Sequence, residues 1–263
     1  MYIAKMSSWR KRVIPILLVN GEGLVKTVKF KNPKYLGDVV NTVKIFNDKE
    51  VDEIAIIDIT SLATRSEPNF KLLKDITSEC FSPLSYGGKI RSINQIRKIL
   101  SIGVEKVIIN SAAIEDPEFL HRACLEFGSS TIVGSIDFKK DIFGRTRVYT
   151  SNGRKNTGRT PIEVIKQFEE CGVGEILLNS IDRDGTRMGF DLEMINSLSK
   201  SVNIPLIACG GANNVDDFIL ALKNGASAVA AGSKFVFKGR HNAVLITYLS
   251  EDENNKLLKY EDK

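Results

Sequence analysis

The chain has 263 residues, 43% hydrophobic and 26% charged, with 20 Gly and 7 Pro. That is enough for one large core, matches the roughly 250 residues common for an α/β barrel, and differs from a disordered or fibrous chain. A formal charge of +5, spread without an aromatic-interleaved basic block, argues against nucleic acid as partner and suits a phosphorylated small molecule better. No stretch approaches the ~20 apolar residues of a membrane span. Cys80, Cys124, Cys171 and Cys209 form no CxxC pair, so the reading is a cytoplasmic protein with reduced thiols, no membrane partner, no metal site and no cofactor.

In chain order, Arg10, Lys11 and Arg12 precede an apolar run at 13–19. It is too short for a signal core and meets Asn20-Gly21 without a small-residue cleavage site, so it reads as a buried first strand. Seven further runs of strand length follow, at 53–59, 83–86, 106–110, 131–137, 175–180, 205–209 and 228–232. The intervals carry helix starts: Ser92 with Gln95, Asp116-Pro117, and Thr160-Pro161 with Glu163. Near-continuous apolar strands alternating with amphipathic helices predict a parallel sheet covered on both faces, and eight such units favour closure into a single (β/α)8 barrel. The barrel proper is expected over about 11–250, with the first ten residues and the charged tail 251–263 peripheral.

An internal repeat supports closure. Gly87-Gly88 after the third run recurs as Gly210-Gly211 after the seventh, Asn110-Ser111 as Gly232-Ser233, and Ile57-Asp58-Ile59 matches Leu178-Asn179-Ser180. Offsets of about 120 residues are half a barrel. The polar and glycine-rich members lie at strand ends, where such barrels carry their sites.

Glycines after strands let backbone N–H groups approach an anion, and a following helix start adds partial positive charge. Gly210, Gly211, Gly232 and Ser233 therefore read as one phosphate cradle. Gly87, Gly88, Asn110 and Ser111 read as another; the alternative is that the glycines only permit tight turns. Two cradles suit a long substrate with a phosphate at each end. Asp137 ends the fifth run and Asp184 lies in Asp182-Arg183-Asp184-Gly185-Thr186 after the sixth, so each is placed as a general acid or base, or else as a loop anchor. Asp58 ends the second run. His121 and His241 are the only histidines, and neither sits at a strand end, which speaks against a Ser-His-Asp triad or a histidine-rich metal site.

The strings Lys11-Arg12-Val13-Ile14-Pro15, Gly87-Gly88-Lys89-Ile90-Arg91-Ser92, Ile109-Asn110-Ser111-Ala112-Ala113, Gly174-Glu175-Ile176-Leu177-Leu178 and Asp182-Arg183-Asp184-Gly185-Thr186 resemble the cyclase subunit of imidazole glycerol phosphate synthase, from about Lys11 to about Phe237. The resemblance implies a two-fold repeated (β/α)8 barrel with a glutaminase on its N-terminal face. Ammonia would pass through the barrel to a bisphosphorylated substrate at the other end. It further implies a charged ring at the ammonia entrance, Arg12, Glu53, Lys106 and Glu175, whose alternative is ordinary polar strand edges. Lys26 corresponds to the flexible first loop's lysine, Asp137 to one of two catalytic aspartates, and Gly185 belongs to the phosphate-binding set.

The second catalytic aspartate is replaced by Leu18, the half-barrel mate of Asp137. Lys89 stands for the third glycine of the first phosphate loop, Asn179 for a threonine and Cys209 for a serine. Lys89 is expected either to weaken that loop or to supply a charge-assisted contact of its own. The pattern resembles the divergent branch that accompanies a glutaminase and a sugar amidotransferase in making acetamidino sugars for surface polysaccharides. The alternatives are an ordinary histidine-pathway cyclase subunit and a non-catalytic scaffold conducting ammonia to a separate synthetase.

Overall fold

The computed structural model describes residues 11–239 and 241–261; the predicted N-terminal extension and the last two tail residues lie outside them. The chain opens with β1 (Val13–Asn20), a hairpin of β2 (Gly23–Val28) and β3 (Lys31–Asp38), and α1 (Val39–Asn47). Next come β4 (Ile54–Asp58), α2 (Phe70–Thr77), β5 (Leu84–Gly87), α3 (Ile93–Ser101) and β6 (Lys106–Ile109). Two helices, α4 (Ser111–Glu115) and α5 (Pro117–Phe127), lead to β7 (Ile132–Lys140) and a second hairpin, β8 (Thr146–Thr150) with β9 (Lys155–Asn156). The rest is α6 (Pro161–Glu170), β10 (Glu175–Ser180), α7 (Leu192–Ser199), β11 (Leu206–Cys209), α8 (Val215–Lys223), β12 (Ala228–Ala231) and α9 (Ser233–Val236). A short hairpin, β13 (Phe237–Lys238) with β14 (Ala243–Val244), and α10 (Glu251–Glu261) end the described chain.

Strands β1, β4, β5, β6, β7, β10, β11 and β12 pair in that order, each parallel to the next, and β12 returns to β1. The eight predicted runs are these eight strands, and the fold is a closed (β/α)8 barrel. Because side chains alternate along a strand, each strand feeds two cores. Ile54, Ile56 and Ile176 face outward onto Phe46, Phe168 and Phe218 of the helices. Ile14, Ile16, Ala55, Ile108, Val133, Leu177, Ile207 and Ala230 fill the interior. Burial on both faces is why the strands read as unbroken apolar runs.

The predicted helix starts form. Thr160 and Glu163 make both arms of a capping box on α6, and Asp116 caps α5 ahead of Pro117. Ser92 accepts from the Gln95 amide, but the Gln95 carbonyl oxygen takes the Arg91 N–H at 2.8 Å rather than that of Ser92.

Two expectations are corrected. The tail read as peripheral is helix α10, packed on α8, with Leu257 buried at 1% exposure and Lys256 2.6 Å from Asp216. Its one buried leucine among charges left too faint a stripe to read. The repeat match of Asp58 with Asn179 is also out of register. Asn179 meets Asp137 inside the barrel and Ile57 packs on the interior cluster, so Ile57 is the mate of Asn179. Among the described residues no helix is long and apolar enough to cross a membrane.

Candidate functional site

At the N-terminal end of the barrel, Arg12, Glu53, Lys106 and Glu175 form a closed alternating ring. Arg12 pairs with Glu53 at 2.5 Å and with Glu175; Lys106 pairs with Glu175 at 2.9 Å and with Glu53 at 3.3 Å. The four belong to four different strand starts, and side-chain alternation turns all of them inward. Ser85, absent from the sequence reading, donates to Glu53 at 2.5 Å. Burial works against the Arg12 charge, but Glu175 and Glu53 outweigh it and hold the guanidinium above its ordinary range. A buried charge is tolerable when paired and hydrogen-bonded, and here each one has two opposite neighbours. Above the ring the interior is apolar up to the level of Ser135 and Asn179.

At the other end a cavity of about 530 Å³ opens among the strand C-termini. Every residue named above as catalytic or phosphate-binding lines it. Asp137 and Asp184 both line the cavity, and the charge of Asp184 acts on Asp137. Burial pushes Asp137 up to about 7, opposed by a hydrogen bond from Asn179 at 3.2 Å and aided by Asp184. Asp184 is held by Lys26 Nζ at 3.0 and 3.2 Å. Lys26 stands on β2, is 6% exposed, and also donates to the Thr27 carbonyl. The first βα connection, predicted as a flexible loop, is thus a hairpin laid over the mouth. Lys29 N–H donates to the Asp184 carbonyl, and a Cβ at Gly185 would lie 2.5 Å from the Thr27 oxygen, so Gly185 is the point where the two loops touch.

Gly210 and Gly211 have φ of +88° and +112°. A Cβ on Gly210 would stand 2.6 Å from the Ser180 oxygen, so only glycine fits both the backbone and the space. The Lys26 stem lies over Gly232, and Arg187 donates to the Ser233 carbonyl at 3.4 Å. The Gly210 loop, the Gly232 loop and the lysine thus share one side of the cavity. On the first-half side, Asn110 Nδ2 donates to the Ser135 carbonyl at 3.0 Å, and Ser111 Oγ accepts from the Ser151 N–H.

The first half departs from the second at two places. Leu18 points into the cavity floor beside Ile57. Lys89, at φ +61°, pairs its ammonium with Asp58 Oδ1 at 2.7 Å, with both side chains at most 2% exposed. Asp58 also takes the Thr60 N–H at 2.9 Å. Sequence reasoning named both residues but not their contact, because it joins two strand ends far apart in the chain. Cys209 lines the cavity as a buried thiol whose ionisation burial pushes up. Among the described residues no group of three or more His, Cys, Asp or Glu could hold a metal ion.

Fold and site together define a (β/α)8 barrel of enzyme architecture, with its candidate chemistry at the C-terminal mouth. The family model for histidine biosynthesis proteins matches residues 12–242. The chain is 50% identical over 240 residues to the "Putative imidazole glycerol phosphate synthase subunit hisF2" of Pseudomonas aeruginosa, covering 91% of this chain and 96% of that protein. It is 40% identical over 231 residues to the imidazole glycerol phosphate synthase subunit HisF of Thermobifida fusca, covering 86% and 90%. A third relative, from Hydrogenobaculum, carries that same subunit name and is 40% identical over 243 residues, 92% of this chain and 96% of that one. The chain belongs to the HisF-type family of imidazole glycerol phosphate synthase subunits.

Proposed function

We propose that this chain is the ammonia-using subunit of a glutamine-dependent complex, and that its reaction is an amidination other than the histidine-pathway cyclisation. The observation that carries the reading is the conjunction of an intact charged ring with Leu18 at the mouth. A closed ring opening onto an apolar interior suits passage of a small neutral molecule and exclusion of ions and water. A glutaminase sealed on the N-terminal face would supply ammonia there. The mouth, in contrast, keeps one acid of the expected pair, and a leucine can neither move a proton nor stabilise developing charge.

In this reading the acceptor is a phosphate-bearing or sugar substrate, seated by Gly210, Gly211, Gly232 and Ser233, and by Gly87, Gly88, Asn110 and Ser111 at the far end. Asp137, its proton affinity set near neutrality by burial, takes a proton from the attacking nitrogen. Asp184 and Lys26 hold the hairpin shut over the reaction. The divergent branch with a separate sugar amidotransferase fits these changes, and the acetamidino group is the amidine it makes. The ordinary cyclase is the second reading, favoured by the names of relatives and by the presence of Asp137, Asp184 and Lys26.

The deciding experiment supplies the chain with ammonium salt and the histidine-pathway bisphosphate substrate. The proposal expects turnover lower by about 10² or more than that of an ordinary cyclase, because acid–base assistance is typically worth roughly 10² to 10⁴. Equal turnover would eliminate the proposal in favour of the ordinary cyclase. Docking is tested separately, by binding of a glutaminase encoded beside this chain; a stable complex should bury at least about 1,000 Å².

A further inference from the structure

Asn179 is the polar side chain at the cavity floor that the reading above leaves without a task. It stands on β10 in register with Asp137 on β7, and its Nδ2 donates to Asp137 Oδ1 at 3.2 Å. Its Oδ1 is buried and has no hydrogen-bond partner. Gly210 closes over that oxygen so tightly that a Cβ there would lie 2.8 Å away. A buried acceptor left unmet is costly and calls for an explanation.

The explanation lies in what Asp137 needs from its neighbours. An ionised carboxylate only accepts hydrogen bonds, whereas a protonated one carries an O–H that must donate. A carboxamide has donors on one arm and an acceptor on the other, and its terminal torsion is two-fold and soft. Around the same corner stand Asp184 from the loop after β10, which acts on Asp137, and Cys209 from β11, which feels Asp137, Asp184 and Lys26 of β2, while Tyr149 of β8 is in backbone register with Asp137. Lys26 is engaged by Asp184, Cys209 is a buried thiol, and the Tyr149 hydroxyl takes a hydrogen bond from Asn156. Among the described residues no hydrogen bond joins Asp184 to Asp137.

We propose that Asn179 is a positioning residue that turns its carboxamide over as Asp137 gains a proton, with Nδ2 holding the carboxylate and Oδ1 accepting from the carboxylic acid. The unmatched oxygen is then the acceptor held for the second state. This rests on the proposal that Asp137 moves a proton, but not on which acceptor is amidinated.

The test is a pH titration of the full chain by NMR, following the Asp137 carboxyl carbon, assigned with Asp137→Asn, and the side-chain amide of Asn179. The amide signals should shift with the same midpoint as Asp137. Asn179→Leu removes the stronger, charge-assisted bond to the carboxylate together with the weaker one to the acid, and so should tighten proton binding to Asp137 by at least about threefold, half a pH unit. Asn179→Thr, whose hydroxyl both donates and accepts, should keep it within about twofold. Amide signals indifferent to the titration, an unmoved midpoint in Asn179→Leu, or an Asp137 that stays ionised throughout would each overturn the proposal. If Asn179→Leu does not fold, the wild-type amide signals decide. Failure of every amidination assay would leave these titrations as they are, so the two ideas fall separately.

Discussion

In the second half of the barrel, Asp137 and Asp184 stand over the cavity with Lys26 on one and Asn179 on the other. In the first half, the mate of Asp137 is Leu18, and Asp58 is taken up in a buried ion pair with Lys89. The N-terminal ring draws Arg12, Glu53 and Lys106 from the first half and Glu175 from the second, and it is complete. The difference follows from how the groups depend on each other. Removing one ring member strands buried charge on two neighbours. At Leu18 the absence of a carboxylate strands nothing, because the leucine packs on Ile57. A barrel can therefore change its chemistry at the mouth while its other end stays intact.

That contrast can be broken most directly at its strongest point. Asp137→Asn should lower ammonium-dependent product formation by the complex by roughly 10² to 10⁴, whereas Leu18→Ala should change it by no more than about threefold. Comparable losses would mean that the two halves contribute equally and that Leu18 touches the substrate productively.

The ring gives the next largest effect. Lys106→Met or Glu175→Gln should reduce glutamine-dependent turnover by about tenfold more than ammonium-dependent turnover, a difference of about 1.4 kcal/mol. Free ammonia can reach the mouth from solvent, so on the proposed path only the delivered nitrogen feels the ring. Parallel losses in both assays would show the ring to be purely structural.

Leu18→Asp sharpens the contrast by restoring the missing acid. It should raise histidine-pathway cyclisation by up to about tenfold, short of full recovery because Lys89, Asn179 and Cys209 remain. No gain at all would locate the proposed departure from cyclase chemistry in those residues instead.

The smallest effect is on stability. Asp137 is raised to about 7 in the fold against about 3.9 unfolded. The folded state therefore binds more protons between those values, and stability falls as pH rises through them. Asp137→Asn should be more stable than wild type at pH 8 by about 1–2 kcal/mol, after allowance for the open side of the cavity, with the gap closing toward pH 4. Denaturant melts at the two pH values measure it, and a constant gap would contradict the buried-carboxyl assignment.

The barrel strands were legible because each is a short apolar run with charge or a turn at its start and a polar residue or glycine at its end. The hairpins were not. β3 is exposed along most of its length and β9 has two residues, so neither carries an apolar alternation. The glycine loops, Asp137 and Asp184 could be named because strand ends converge in a barrel, and the ring members because the family resemblance implies them. Which of them touch could not be, since Lys26 with Asp184 and Lys89 with Asp58 are contacts between distant connections. Asn179 was visible only as a member of the repeat and as a replacement, and its unmatched oxygen appears only once Gly210 is seen against it.

The C-terminal segment has a consequence for how the molecule is made. The Tyr248 hydroxyl donates to the Val13 carbonyl at 2.7 Å, and β12, which pairs with β1 along Val13, Ile14 and Pro15, is the last barrel strand in the chain. A chain emerging from the ribosome has its first strand ready long before the partner and the tyrosine that hold its open side. Until both appear, the nascent protein is a curved sheet with a sticky margin, and the site at the mouth has no far wall. Closure, and with it the far wall of the site, waits until β12 and Tyr248 have been made.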